Sequence, residues 1–288
     1  DPIQFETRPE LKDPVAIVAF AGWNDASNAA TGAARFLARR LAARKFASID
    51  PEPFFDFTSS RPNVRVSLRG ARELDWPAND FYYARTGGEH DILLLIGTEP
   101  GLRWRTFATA VVETWASLGV TMAVSLGALL ADIPHTREVR VTGTAADPAL
   151  TERLGLATSR YEGPTGIVGV LHTFMRDSAI PAASLWANTP HYLTTDQNPP
   201  AMLALIERLQ PMVGLDLDLE ELVTSSDRWR TEVDAAIAAN DEIAAYVTRL
   251  EENFDSGASE DGEESELPPS EDIVLDVEEF LRLQRDDD

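Results

Sequence analysis

Carboxylates and imidazoles recur in the polar loops that follow the predicted strands, and these are the side chains that acid–base catalysis uses. A carboxylate close to a histidine can supply a general acid and a general base. If the loops meet at one edge of a sheet, the sequence predicts a single cleft there. Its catalytic candidates are Asp25, Glu99, His135, Glu162 and His191.

The same loops hold residues suited to binding a ligand. The loop 161–166 contains two glycines and opens a helix, so its backbone N–H groups and the positive end of the helix dipole could hold a carboxylate or a phosphate. Arg103 could stabilise an oxyanion. The expected ligand-binding residues are Trp23, Asn24, Arg103, Thr136, Gly163, Thr165 and Gly166.

Each main candidate also has a structural explanation. Asn24 and Asp25 precede a helix, whose free N–H groups their side chains can cap. Glu99 can form an ion pair with Arg103 or Arg105 at the start of another helix, and His135 can hydrogen bond to the backbone. The sequence leaves both explanations open. The catalytic one requires Asn24 and Asp25 to face the loop 162–166 across a pocket.

Metal, thiolate and nucleotide-loop chemistry are not indicated. The four histidines are far apart and no pair has the i, i+4 spacing of a helical metal site. The chain has no cysteine, which excludes disulfides and a thiolate nucleophile. The loop 163–166 matches neither the P-loop nor the dinucleotide fingerprint. We therefore expect no metal and no cofactor.

Four apolar runs must position these loops, at residues 15–20, 92–97, 120–126 and 180–187. They have few polar residues, which is typical of strands covered on both faces. The first two lead through a polar turn into an amphipathic helix, and the third follows the second helix directly. This alternation predicts an α/β fold with a mainly parallel sheet.

The chain divides by composition into four predicted parts. Residues 1–198 form the α/β core, and residues 199–250, with helices from Pro199, from near Asp218 and from Trp229 to Leu250, form a helical appendage. Residues 251–269 are a predicted disordered acidic linker. Residues 270–288 form a predicted short amphipathic helix that could dock on the body or on a partner. Its apolar residues are Ile273, Val274, Val277, Phe280 and Leu281.

The charge of the chain argues against two classes of partner. The formal net charge is −23, and residues 251–288 contribute 16 acidic residues against two arginines. Nucleic acid and anionic membrane surfaces would repel such a chain. No apolar run approaches the roughly 20 residues that span a bilayer, and a cysteine-free chain suits the cytoplasm.

Four loop motifs together resemble the proteasome assembly chaperone 2 family in its actinobacterial branch. They are the segments 19–26, 97–104, 126–136 and 161–166 (AFAGWNDA, GTEPGLRW, LGALLADIPHT and YEGPTG). The resemblance implies a three-layer α/β fold similar to nucleoside phosphorylases and hydrolases, protein partners, and self-association with a trimer favoured. It implies no settled activity for the bacterial branch.

Two functions follow as hypotheses. The first is a homo-oligomeric, protein-binding or assembly-chaperone-like protein. The alternative is a hydrolase- or phosphorylase-type enzyme that acts on a small anionic or nucleoside-like substrate in the strand-exit cleft. Relatives reach proteasome subunits through a hydrophobic C-terminal motif with an aromatic residue, whereas this sequence ends in Arg285-Asp286-Asp287-Asp288. The proteasome therefore stays an open alternative among the partners.

Overall fold

An eight-stranded mixed sheet forms the centre of the computed structural model, which describes residues 2–67, 70–158, 161–193 and 195–256. The strand order is β1-β3-β6-β7-β2-β8-β10-β9, and a separate two-stranded sheet pairs β4 with β5. The strands are β1 Ile3–Phe5, β2 Val15–Ala21, β3 Arg44–Ile49, β4 Asn63–Val66, β5 Arg72–Asp75, β6 Asn79–Ala84, β7 Ile92–Thr98, β8 Met122–Ala131, β9 Val141–Ala145 and β10 Ala182–Pro190. The helices are α1 Ala29–Arg40, α2 Trp104–Ser117, α3 Pro148–Leu154, α4 Ile167–Asp177, α5 Pro199–Val213, α6 Glu220–Ala238 and α7 Asp241–Asp255.

The four predicted apolar runs are the central strands β7, β2, β8 and β10, and they pair in parallel. The predicted α/β class is confirmed. Among the described strands, parallel pairing is confined to these four, because β1, β3 and β6 extend one side and β9 the other with antiparallel pairings. Since the parallel strands end together, the loops after β7, β2, β8 and β10 share one edge of the sheet, called here the carboxyl edge.

Helices cover both faces of the sheet, so the fold has three layers. One face packs against α1 and α5, with Ile17, Leu94 and Val124 buried between them. The other face packs against α2 and α4, with Val18, Leu95 and Ala123 buried. Neighbouring residues of one strand thus enter opposite cores, which explains why these strands are apolar throughout.

Helix α5 contributes Met202, Leu205 and Leu209 to the same core as α1, although the sequence analysis assigns this helix to the appendage. The hairpin of α6 and α7 has a cluster of its own around Trp229 and Tyr246. The division into domains stays a prediction, but α5 packs as part of the three layers.

The predicted long helix from Trp229 to Leu250 is two helices. Asn240 interrupts it, because its side chain accepts hydrogen bonds from the N–H groups of Glu242 and Ile243 and so caps α7. Helix α7 continues to Asp255, so the first residues of the predicted acidic linker are helical. The rest of that linker and the predicted helix 270–288 lie outside the described residues.

The hairpin β4–β5 stands apart from the main sheet, and all eight of its strand residues are exposed. Residues 54–58, which have the pattern of a short strand, instead form turns that bury Phe54 and Phe55. Within the described residues, no helix is long and apolar enough to cross a bilayer.

Candidate functional site

Asn24 and Glu99 meet the start of α4 at the carboxyl edge. The Asn24 amide donates to Glu99 Oε1 at 3.4 Å, and the Ile167 N–H donates to the same oxygen at 2.8 Å. Glu99 therefore caps α4 from the loop after β7. A methyl group built on Gly166 would lie 2.3 Å from Asn24 Nδ2 and 2.7 Å from Glu99 Oε1. Asn24 approaches the loop 162–166 as expected, but it does so by direct contact and not across a pocket. This contact leaves no space for a ligand at Gly166.

Asp25 caps α1. Its carboxylate accepts from the Ala30 N–H at 2.7 Å, from the Thr31 N–H and from the Thr31 hydroxyl. Burial raises the pKa of Asp25, while the hydrogen bonds from Thr31 and Ala30 oppose that shift. These donors belong to the helix, so the side chain is fully used in holding the start of α1. We call Asn24, Asp25 and Glu99 with the helix starts that they bind the cap cluster.

His135 lies in the loop after β8 and binds the hairpin of α6 and α7. Its backbone N–H donates to the Tyr192 hydroxyl at 2.8 Å, so that hydroxyl donates to His135 Nδ1 at 2.7 Å. His135 Nε2 then carries the proton and donates to Asp234 at 2.9 Å. Burial lowers the pKa of His135, and Asp234 offsets part of the effect. Both ring nitrogens are occupied, so His135 has no free lone pair with which to act as a base.

His191, after β10, makes an equivalent contact with α7. Its Nδ1 lies 3.0 Å from Asp132 Oδ1 and 3.3 Å from the Ala131 carbonyl, so this nitrogen carries the proton. Nε2 accepts from the Tyr246 hydroxyl at 2.9 Å. Burial, with Asp132 nearby, raises the pKa of Tyr246 to about 12 and keeps the hydroxyl a donor. We call the group Asp132, His135, His191, Tyr192, Asp234 and Tyr246 the histidine cluster.

Two further contacts attach α7 to the same loop. Thr136 donates its hydroxyl to Glu251, and Arg137 binds Asp255 through two nitrogens at 2.9 and 2.7 Å. Thr136 therefore contacts α7. The sequence gives no means of finding Asp234, Glu251 and Asp255, because they lie 99 to 118 residues from their partners.

The predicted single cleft separates into these two clusters. The structure brings Asn24, Glu99 and Gly166 together, and it joins His135 to His191 through Tyr192. In the described part of the chain, no hydrogen bond links the two groups. The other candidates, Trp23, Arg103, Glu162, Gly163 and Thr165, are exposed. Among described residues, no three acidic or histidine side chains are placed to hold a metal.

Large apolar side chains are exposed at the carboxyl edge beside the cap cluster. Trp23 follows β2 and is 64% exposed, and Leu130 at the end of β8 is 60% exposed. A main-chain hydrogen bond joins the loop after β2 to strand β8, because the Ala128 N–H donates to the Asn24 carbonyl at 2.9 Å. We call the exposed set the apolar rim; it consists of Trp23, Leu102, Leu129, Leu130 and Tyr161.

A cleft of about 650 Å³ lies elsewhere, between α1, the strands β6 and β7, and the base of the β4–β5 hairpin. Arg35, Arg61, Asp75, Trp76 and Asp80 line it. These residues come from four separate elements and form no motif, so they cannot be identified from the sequence alone.

Comparison with known proteins identifies the family. The PAC2 family model matches residues 19–237. A PAC2 family protein from Streptomyces avermitilis is 41% identical, with a TM-score of 0.74, over 82% of this chain and 100% of that one. A Mycobacterium tuberculosis protein described as a proteasome-assembly chaperone homologue is 40% identical, with a TM-score of 0.73, over 81% of this chain and 99% of that one.

More distant structures share the fold. An archaeal proteasome activator from Pyrococcus furiosus is 18% identical, with a TM-score of 0.65, over 81% of this chain and 97% of that one. Comparison with curated proteins returns no match. The family model covers most of the chain, and the relatives at about 40% identity come from Streptomyces and Mycobacterium. The chain therefore belongs to the PAC2 family, the proteasome assembly chaperone family that its four loop motifs resemble.

Proposed function

We propose that this protein acts by binding other proteins, in the manner of an assembly chaperone, and that the apolar rim is its contact surface. One observation carries the proposal: at the carboxyl edge the carboxylates of Asp25 and Glu99 and the rings of His135 and His191 are bonded internally, whereas Trp23 and Leu130 are exposed. Large exposed apolar patches mark protein contacts, and tryptophan is enriched among the residues that dominate binding.

The enzymatic alternative has less support from the same edge. An acid–base pair needs groups that reach one reacting atom. The carboxylates of Asp25 and Glu99 hold helix starts, and the nitrogens of His135 and His191 are occupied. A thermal-shift screen with nucleosides and small acids should give no saturable shift. A shift that Asp25→Asn abolishes would favour the enzyme.

The first candidate partners are proteasome subunits, since a relative at 40% identity is described as a proteasome-assembly chaperone homologue. We propose a cytoplasmic location, which the cysteine-free composition suits. We also propose self-association, with a trimer favoured by the family resemblance. Sedimentation of the full chain should then give three times the 31.6 kDa of one chain. A monomer at micromolar concentration would contradict self-association without affecting the rim.

The test of the rim is capture of purified proteasome subunits by the immobilised full chain. The double variant Trp23→Ala, Leu130→Ala should weaken capture at least about tenfold, because truncating central apolar anchors costs more than 1 kcal/mol each. The matched control is Val223→Ala, an exposed apolar residue on α6. Equal capture by wild type and double variant would exclude the rim, and no capture by wild type would exclude this class of partner.

A further inference from the structure

The β4–β5 hairpin has an apolar face that the described residues leave exposed. Val64 pairs with Leu74 and Val66 pairs with Arg72, so these four side chains share one face. Val64, Val66 and Leu74 are 57%, 68% and 55% exposed. An isolated two-stranded hairpin is at best marginally stable in water, so such a face is expected to be covered.

The hairpin is also a basic segment of an acidic protein. Residues 61–75 carry four arginines against two acidic residues, while the whole chain has a net charge of −23. At the base of the hairpin, Arg61 and Arg35 line the cleft of about 650 Å³. The two carboxylates of that cleft are already paired, Asp75 with Arg65 at 3.0 Å and Asp80 with Lys45 at 2.8 Å. The cleft therefore favours an anionic, partly apolar occupant.

The chain itself contains a segment of this chemistry. Residues 270–288 carry eight acidic residues against two arginines, and their apolar residues, from Ile273 to Leu281, fall at helical spacing. Opposite charges of this kind guide association and fix its orientation. The apolar residues of this segment include Val277 and Phe280.

The length of the connection allows the contact. Helix α7 ends at Asp255, which is bound by Arg137 in the loop after β8. Strand β8 lies three positions from β6 in the sheet, about 15 Å at normal strand spacing. The 17 residues between Asp255 and Ile273 can extend to about 55 Å.

We propose that the acidic C-terminal segment 270–288 docks on the β4–β5 hairpin of its own chain, with its apolar residues on Val64, Val66 and Leu74 and its carboxylates on the arginines around the cleft. The hairpin is thus an internal docking site, distinct from the apolar rim.

Disulfide trapping tests the proposal in the full chain, because the chain has no native cysteine. The variant Val66→Cys, Val277→Cys should form an intrachain disulfide under mild oxidation, seen as a faster band on a non-reducing gel and mapped by mass spectrometry. The matched control, Leu130→Cys with Val277→Cys, uses a similarly exposed residue of the apolar rim and should react at least about fivefold more slowly.

The contribution of charge to docking is tested in the Val66→Cys, Val277→Cys variant. Adding Arg61→Glu and Arg72→Glu should slow trapping about tenfold, and 0.5 M salt should slow it as well. Circular dichroism checks that each variant is folded. Equal rates for the hairpin and rim pairs, or a disulfide that joins two chains, would overturn the proposal. A rate that charge reversal leaves unchanged would overturn the electrostatic part of the docking.

Discussion

The cap cluster and the histidine cluster lie at the same edge of the sheet but hold different parts of the molecule. Asp25 and Glu99 bind backbone N–H groups of α1 and α4, helices of the three layers. His135 and His191 bind side chains of α6 and α7, whose buried apolar residues belong mostly to a separate cluster. Polar residues at strand exits can thus serve as local caps or as long-range attachments, and residue type alone does not separate the two roles.

Among the residues of the two clusters, replacement of Asp25 is expected to lower stability most. Asp25→Ala removes the cap of α1 and leaves the buried Thr31 hydroxyl without its acceptor, so the free energy of unfolding should fall by about 3 kcal/mol. Urea unfolding at fixed protein concentration measures it. Asp56→Ala is the matched control, because Asp56 also accepts from a nearby threonine but is exposed, and its midpoint should not move. An unchanged midpoint for Asp25→Ala would refute the capping role.

A smaller loss is expected at Gly166. The added methyl group of Gly166→Ala has no space beside Asn24 and Glu99, and overpacking of this kind costs about 1–3 kcal/mol. Gly101→Ala, in the loop after β7, is the control, since a methyl group there meets nothing within 4 Å. If Gly166→Ala has the same urea midpoint as the wild type, Asn24 and Glu99 leave space beside Gly166, as the expected pocket requires.

The smallest expected effect is that of low pH on the histidine cluster. It concerns only the docking of α6 and α7. Burial lowers the pKa of His135 below its ordinary value of 6.5, so in this range the protein binds more protons when the hairpin of α6 and α7 is undocked than when it is docked. Docking is therefore strongest above pH 6.5 and weakens as the pH falls below it.

Hydrogen exchange of α6 and α7, corrected for intrinsic rates, measures this dependence between pH 7.5 and 5.5. Exchange should quicken in these two helices at the lower pH, and His135→Gln should reduce the difference. His172 needs its own control, because burial lowers its pKa to about 4 and it binds Ser125 in the core. Faster exchange in α4 but not in α6 and α7 would assign the acid response to His172.

The sequence predicts the layered part of this fold because its strands enter two cores. Ile17 and Val18 point to opposite faces and are both buried, so the run around them has no polar alternation. The start of α4 is equally predictable from Gly166 and the apolar spacing after it. The four loop motifs are sufficient to identify the family.

The roles of the loop residues are not predictable in the same way. His135 has the sequence of an exposed loop histidine, and only the position of Asp234, 99 residues later, makes it an attachment point. Glu99 has Arg103 near it in sequence, yet its carboxylate turns to Ile167, 68 residues away. Helices α6 and α7 appear as one because a continuous apolar stripe outweighs the single asparagine that separates them.

The docking of α6 and α7 has a consequence for the order in which the chain is made. The ribosome releases β8 and its loop long before Asp234, Tyr246 and Asp255 exist. During that interval His135 lacks Asp234 and His191 lacks Tyr246, and Tyr192 has no aromatic cover from Tyr246. Because domains fold from the N-terminus during synthesis, the sheet can form first and the helical hairpin then closes over its finished edge.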